Sequence, residues 1–500
     1  MPAGRVAAGI LVTRLLGFVR ERVFAHYFGS SSAAGAFRAA LRIPNAIRNL
    51  LGEGTLSASF IPVYAGMIAR GETENARRLS GAIVSLLVLV TALAALLGIV
   101  LAPVITHVVA PGFAGPTRAL TITLVQIMFP MAGVLILSAW CLGVLNTHRR
   151  FFLSYAAPSA WNIAQIAALV GAGGVLAGAR LAVALAVGAL AGSVLQLAVQ
   201  LPSTLRLAGR IRWGVGLDTP GVRTVVRAWL PVIVGAGVLQ ISSIVETQLA
   251  SLLGADAVAV LGYAQLLALL PISLFGVSVA AAALPELSRD AAVADPDVLR
   301  GRLADGARRV TFFVIPSAFG LAALGGPIVA TLFETGAFGP DDTALVAGVL
   351  AAYAVGLLAQ ACVKLFASGF YALGDTRTPV RYAVIGVALS AALAALFMQR
   401  WGPAGIALGA ALAAYVNVGL LVTALGRRVG PLIGPAERRA LLVTVGGALA
   451  GTVTGMGLLQ ALAGVPAWAL TVTAVGGFGL VYLGVTAALR HPDAVRLLRR

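Results

Sequence analysis

Residues 13–24 read TRLLGFVRERVF and place Arg14, Arg20 and Arg22 in a largely apolar run; Arg38, Arg42 and Arg48 follow in the next one. An arginine at the centre of a bilayer costs about 2.5–3.5 kcal/mol on insertion scales, so these side chains cannot all face lipid. Arg22 and Arg42, near expected helix ends, can snorkel to the interface. Arg14 and Arg20 are six positions apart, which on a helix separates them by about 9 Å along the axis and roughly 120° around it. They can line one chamber at two heights. Glu21 and Glu53 neutralise part of the charge, and the remainder calls for an anion. A guanidinium fork binds phosphate oxygens bidentately, which suits a diphosphate. The apolar surroundings make a lipid-linked diphosphate more natural than a soluble nucleotide, although spacing alone leaves the cargo open. No GxxxxGK[ST] loop is present, so ATP is not the evident motor.

The elements that must hold these residues are membrane helices. Of 500 residues, 59% are hydrophobic and 11% charged, far from the composition of a soluble domain. Runs long enough to span recur about fourteen times, at roughly 5–28, 33–66, 79–109, 118–146, 150–177, 181–206, 224–253, 257–285, 304–333, 343–372, 378–399, 403–426, 439–463 and 466–489. Alternate loops are basic: Arg70, Arg77 and Arg78, then His148, Arg149 and Arg150, and so on to Arg499 and Arg500. The intervening loops are neutral, as in APGFAGPT at 110–117, or acidic, as between Glu334 and Asp342. Short basic loops stay inside, so both termini are expected in the cytoplasm. The formal charge of +18 largely expresses that bias rather than nucleic-acid binding. No signal peptide is expected, because the first apolar run is interrupted by Arg14 and lacks a small-residue cleavage site. Cys141 and Cys362 have no paired spacing and are read as buried packing.

The chain also repeats itself. Pro103, Gly115 and Pro116 recur as Pro327, Gly339 and Pro340, each 224 residues on (327 minus 103), and Pro62 recurs as Pro285. With six helices per repeat the halves share one orientation, a parallel repeat of the kind transporters use around a central cavity. The expected fold is all-α and polytopic: about fourteen helices, two six-helix bundles at 1–212 and 213–430, and two further helices with a cytoplasmic tail at 431–500. The second span, IPNAIRNLLGEGTLSASFIP, holds Pro44, Gly52, Gly54 and Pro62 and is expected to bend or break, which is tolerated where backbone lines a cavity. Arg48 and Glu53 lie inside it. Lys364, the only lysine, can snorkel or face the cavity. Asp341 and Asp342 could be read as the metal pair of a glycosyltransferase, but they sit on a short loop without a large catalytic domain, and a solvated turn is the better reading.

At these residues the sequence resembles the MurJ (MviN) family of lipid II flippases, within the multidrug/oligosaccharidyl-lipid/polysaccharide exporter superfamily. The matching stretches are TRLLGFVRERVFAHYFG, AFRAALRIPNAIRNLLGEGTLSASFIPVY, APGF, GVLNTHRRFF, APSAWNIAQI and GFYALGDTRTPVR, in order over about the first 430 residues. The resemblance implies a transporter, not an enzyme. It would move undecaprenyl-diphosphate-linked disaccharide-pentapeptide from the cytoplasmic to the periplasmic leaflet for peptidoglycan synthesis, by alternating access in the bacterial inner membrane. It casts Arg14, Arg20 and Arg48 as cavity arginines, Glu53 as their acidic partner and the last two helices as a groove for the lipid tail; Lys364, from its place in the tenth span, is a further substrate-binding candidate. No cofactor is implied; Na+ or H+ coupling at Glu246 and Asp375, or the membrane potential, is the expected driving force. Expected partners are the lipid-linked diphosphate, membrane lipids and cell-wall synthesis proteins. Three positions depart from the family pattern: Gly35 where an acidic residue is common, and Gln265 and Leu266 where Asp and Arg are common. A cation-coupled exporter of drugs or of another lipid-linked oligosaccharide, or a divergent paralogue with a regulatory role, is the alternative.

Overall fold

The computed structural model describes residues 2–209, 214, 216, 218–293, 296–432, 434–462 and 464–498; the side chains of 2–8, 53, 230–232, 234–236, 238–239, 290–293 and 296 lie outside that description. Among the described residues the chain is helical, with a single bridge between Thr335 and Phe338 as its only extended pairing.

Every expected span becomes a helix or a broken helix. The first is α1 (Pro2–Phe28), and the second divides into α2 (Ser32–Ala40), α3 (Arg42–Leu51) and α4 (Glu53–Ala69). Next come α5 (Thr73–Val100) with α6 (Ala102–Val109), α7 (Gly115–Thr147), α8 (Phe151–Ala156) with α9 (Pro158–Gly173), α10 (Gly178–Ala208) and α11 (Val222–Leu253). Then α12 (Ala255–Pro271) passes through a π-helical turn, Ile272–Val277, into α13 (Ser278–Val293). The chain ends with α14 (Pro296–Ala323), α15 (Gly325–Phe333), α16 (Pro340–Ala372), α17 (Arg377–Val429), α18 (Pro435–Ala461), α19 (Ala467–Ala488) and α20 (Pro492–Leu498).

Eight helices of the described residues are long and apolar enough to span, nine if α14 and α15, bent by 76°, count as one. Part of the difference from about fourteen is structural: breaks shorten α2–α4 and α8–α9, and α17 carries two expected spans joined at Gly402 (φ 54°, ψ −134°) just before Pro403. Helices α1 and α11 include side chains outside the description and are not in that count. On α5, Leu89, Leu93, Leu96 and Val100 form an exposed stripe at helical spacing, a face that acyl chains cover without penalty.

The repeat is visible in the backbone. Leu101 (φ −89°, ψ 7°) breaks α5 from α6, and Leu324 (φ −106°, ψ 10°) breaks α14 from α15. In each case a proline follows in the first turn, where its missing N–H costs nothing. The ends of α7 and α16 match bond for bond. His148, Arg149 and Arg150 donate to the carbonyls of Val144, Asn146 and Leu145; Leu373, Gly374 and Asp375, each 225 positions on (373 minus 148), donate to those of Gly369, Tyr371 and Phe370.

Packing separates the chain into two compact units, one of residues 1–259 with 335–338 and one of 260–334 with 339–500. Helix α11, which sequence placed in the second bundle, packs in the first unit against α3, α4 and α6. Gln248 Nε2 donates to the Val108 carbonyl (2.6 Å), and the Gly112 N–H to Ser251 Oγ (3.2 Å). The core of this unit is built on Phe60, Tyr64, Leu79, Leu87 and Trp140, with the Trp140 indole N–H donated to Ser80 Oγ (3.2 Å). In the second unit, Phe312 packs with Tyr482 and Ala494. There Tyr482 donates to the Phe312 carbonyl (2.5 Å), His491 stacks on the Phe312 ring (4.8 Å), and Asp493 accepts from Arg308 Nε (3.0 Å). These contacts fasten α19 and α20 to α14.

Candidate functional site

Helix α1 keeps its arginines because polar groups of α8 and α9 meet it. Thr13 Oγ1 donates to the Tyr155 carbonyl (2.7 Å) and lies 3.1 Å from Ser159 Oγ. Two turns on, Arg20 Nη1 donates to Asn162 Oδ1 (3.2 Å), and the Arg20 guanidinium lies over the Trp161 ring, 5.1 Å from its centre. Asn162 is buried, and its amide nitrogen is within reach of the Thr13 and Pro158 carbonyls (3.5 and 3.4 Å). That fixes the oxygen end toward Arg20.

The broken second span supplies the other wall. Helix α3 ends at Gly52 (φ −100°, ψ −132°), whose N–H closes on the Arg48 carbonyl (2.7 Å). A Cβ there would run into that same carbonyl oxygen, so only glycine permits the break directly after Arg48. Thr55 Oγ1 donates to the Leu50 carbonyl (2.7 Å) across the break. Pro62, expected to contribute, sits inside an unbroken α4, and Pro44 falls in the first turn of α3.

These elements enclose a cavity of about 270 Å³ within the first unit, lined by Arg20, Glu21 and Phe24 of α1, Phe37 and Arg38 of α2, Asn45 and Arg48 of α3, and Trp161 and Gln165 of α9. Glu21 bridges two of its cations: Arg20 Nη2 donates to Oε1 (2.6 Å) and Arg38 Nη2 to Oε2 (2.9 Å). Arg38 in turn lies over the Phe24 ring at 5.1 Å. Trp161 Nε1, a buried donor, has no acceptor among the described residues. Among the described residues the lining holds three guanidiniums and one carboxylate, donor groups that suit an anion.

Of the residues expected to form a site, Arg20 and Arg48 share this cavity. Arg14 is exposed on α1 and is not among its lining residues. The backbone of Glu53 opens α4, and its side chain lies outside the described residues. Lys364 is half-buried in α16 of the second unit, Glu246 half-buried in α11 of the first, and Leu266 half-buried in α12. Asp375 caps α17: its Oδ1 accepts the N–H groups of Arg377 and Thr378 (3.1 and 3.0 Å), and its Oδ2 accepts from Thr378 Oγ1 and Arg428 Nη2 (2.7 and 2.6 Å). Hydrogen bonds from Thr378, reinforced by Arg428, hold this carboxyl well below the usual carboxylate range. No cluster of three His, Cys, Asp or Glu side chains able to hold a metal occurs among the described residues. Glu21 takes the neutralising role that sequence reasoning gave it, whereas Arg38 and Asn162 are cavity partners it did not assign. The spacing Arg38–Arg42–Arg48 gave no signal of which guanidinium turns inward.

Gly35 has a steric explanation. Helix α2 approaches the start of α12 so closely that a Cβ at Gly35 would run into the Ala255 carbonyl. No acidic side chain fits there.

A family model described as lipid II flippase MurJ matches residues 24–478 of this sequence. The chain belongs to that family. A lipid II flippase MurJ of Burkholderia cenocepacia is 35% identical over 452 residues, covering 89% of this chain and 87% of the relative. Among solved structures, a lipid II flippase MurJ in an inward closed conformation superposes with a TM-score of 0.82 at 24% identity, covering 99% of both chains. An inward-facing multidrug resistance MATE transporter of the MOP superfamily superposes at 0.66 and 16% identity, over 86% of this chain and 98% of that one. At these identities the structural matches establish the fold, an all-α, multi-span membrane protein with the MurJ architecture; the flippase family rests on the family model and the sequence relative.

Proposed function

We propose that this protein carries lipid II from the cytoplasmic to the periplasmic leaflet by alternating access, with both termini in the cytoplasm. The observation that carries the reading is the gathering of Arg20, Arg38 and Arg48 around one cavity on membrane helices. A cavity of this charge on apolar helices suits a diphosphate whose prenyl tail stays in lipid. Arg14 meets the headgroup at a second height on α1, with Glu53 beside the break that follows Arg48 and Lys364 as a further cation on α16.

The membrane potential favours the direction. Inside-negative voltage assists outward movement of an anion by about 2.3 kcal/mol per charge per 100 mV for complete crossing, and draws the emptied positive chamber back. The test replaces Arg14, Arg20 and Arg48 singly by alanine in a strain depleted of its own flippase, scoring growth and lipid II headgroup exposure outside. Loss of both readouts for Arg20→Ala and Arg48→Ala is expected. Normal growth with all three variants overturns the proposal, and headgroup exposure that survives collapse of the potential removes the voltage coupling.

A further inference from the structure

We infer that Gln165 and Asn45 read the sugar that follows the diphosphate, so that the cavity selects a glycosylated lipid over one without a sugar. The inference rests on the proposed function and deepens it by naming residues that set its specificity. Gln165 is 2% exposed and lines the cavity from α9. Its Nε2 donates to the Trp161 carbonyl one turn back (3.3 Å), which an amide oxygen cannot do, so Oε1 is turned the other way. That oxygen accepts no hydrogen bond among the described residues, yet it is not one of the polar atoms sealed inside the packing. With the rest of the residue buried, the cavity is the space it faces. Asn45 lines the same cavity from α3. Its side-chain amide has no partner among the described residues either, and neither of its polar atoms is sealed.

Hydrogen-bond chemistry decides what these two amides can meet. The oxygens of a diphosphate diester only accept, so however well they fit the guanidiniums they leave the Gln165 oxygen unmet. The ligand has to bring O–H or N–H groups close to its phosphates. A sugar does so: its hydroxyls both donate and accept, and an N-acetylated sugar adds an amide that Asn45 and Gln165 complement. The order of residues along the helices agrees. Asn162, the partner of Arg20, precedes Gln165 by three positions (165 minus 162), which is about 4.5 Å along α9. Asn45 precedes Arg48 by three positions (48 minus 45) on α3. Each amide thus lies one helical turn from the place of a guanidinium, as a sugar ring lies next to the phosphate it esterifies.

The test measures binding of three lipids to the purified full chain: lipid II, undecaprenyl diphosphate esterified with N-acetylglucosamine, and the methyl ester of undecaprenyl diphosphate. The last two carry the same charge, one negative on each phosphorus, and differ only in what caps the second phosphate. Wild type is expected to bind the sugar ester more tightly than the methyl ester. Gln165→Leu and Asn45→Ala should each cut the ratio of those two affinities about three- to tenfold, the effect of one neutral hydrogen bond. Salt weakens both lipids alike, so the ratio holds as ionic strength rises. A wild-type ratio of one overturns the inference and, where lipid II still binds, leaves the proposed function standing. A folded Gln165→Leu that keeps the wild-type ratio overturns it too, the outcome expected if water alone meets the amides. If Gln165→Leu melts early, Asn45→Ala decides by the same criterion, because the Asn45 side chain makes no hydrogen bond among the described residues that the fold would lose. Wild type that does not bind lipid II ends both readings.

Discussion

Gly35 invites a misleading repair. The family resemblance implies an acid there, so Gly35→Asp looks like a return to pattern. The structure gives the opposite expectation. A Cβ at this position would run into the carbonyl oxygen, carbon and Cα of Ala255, all backbone atoms that cannot rotate aside. Overpacking of this kind costs about 1–3 kcal/mol, and a rigid backbone neighbour argues for the upper end. Replacing glycine within a helix returns about 0.5–1 kcal/mol. Gly35→Ala should thus destabilise by about 1–2 kcal/mol net. Gly35→Asp should cost several kcal/mol, since it also buries a carboxylate against a carbonyl oxygen. It would stand three residues from Arg38 on the same helix and compete with Glu21 for that guanidinium. The assay is fluorescence-detected thermal unfolding of the detergent-solubilised chain, with Gly35→Ala as the reference and growth in the depletion strain alongside. The expected order of melting is wild type, then Ala, then Asp, with complementation lost in the same order. A Gly35→Ala protein that melts at or above wild type would refute the close approach of α2 to Ala255.

Two further outcomes follow from the second unit. Asp493, 7% exposed, accepts from Arg308, whose other edge keeps Asp305 at 2.6 Å, so Asp493→Ala should cost about 2–3 kcal/mol; protease should then cut near α20 before the rest of the chain, and an unchanged digestion pattern would remove the fastening role. Asp375 is an acid whose folded pKa is depressed, so its stabilising effect is complete above its ordinary value of 3.8 and is lost as pH falls below it. The gap in melting midpoint between wild type and Asp375→Asn should hold steady from neutral pH to about 5 and close below about 4, whereas a gap that persists in acid would place the effect in the amide itself.

The sequence exposed much of the frame and little of the site's internal wiring. Apolar runs located every spanning helix, because bilayer thickness fixes their length, but not the short α20; the gap between the runs 378–399 and 403–426 fell at the joint within α17. The break after Arg48 was legible from Gly52, but Pro62 misdirected, since a membrane helix tolerates proline where neighbours cover it. Arg20 and Arg48 were legible as costly charges. Their companions were not: Asn162 is 142 residues from Arg20 (162 minus 20), and only tertiary packing brings them together. Arg38 could not be told from Arg42 by periodicity, because the facing of a short, wholly packed helix is set by its neighbours.

The matched turns after α7 and α16, and the equally spaced glycines Gly29 and Gly254 that close α1 and α11, superimpose one half of the sequence on the other at an offset of 225 (254 minus 29). On that ruler Glu21 falls on Glu246, whereas Arg20 falls on Val245 and Arg38 on Tyr263. Both repeats carry the acid, and only the first carries these two bases. The repeated backbone pattern thus bears a one-sided electrical load, in which a substitution in one repeat has no equal in the other.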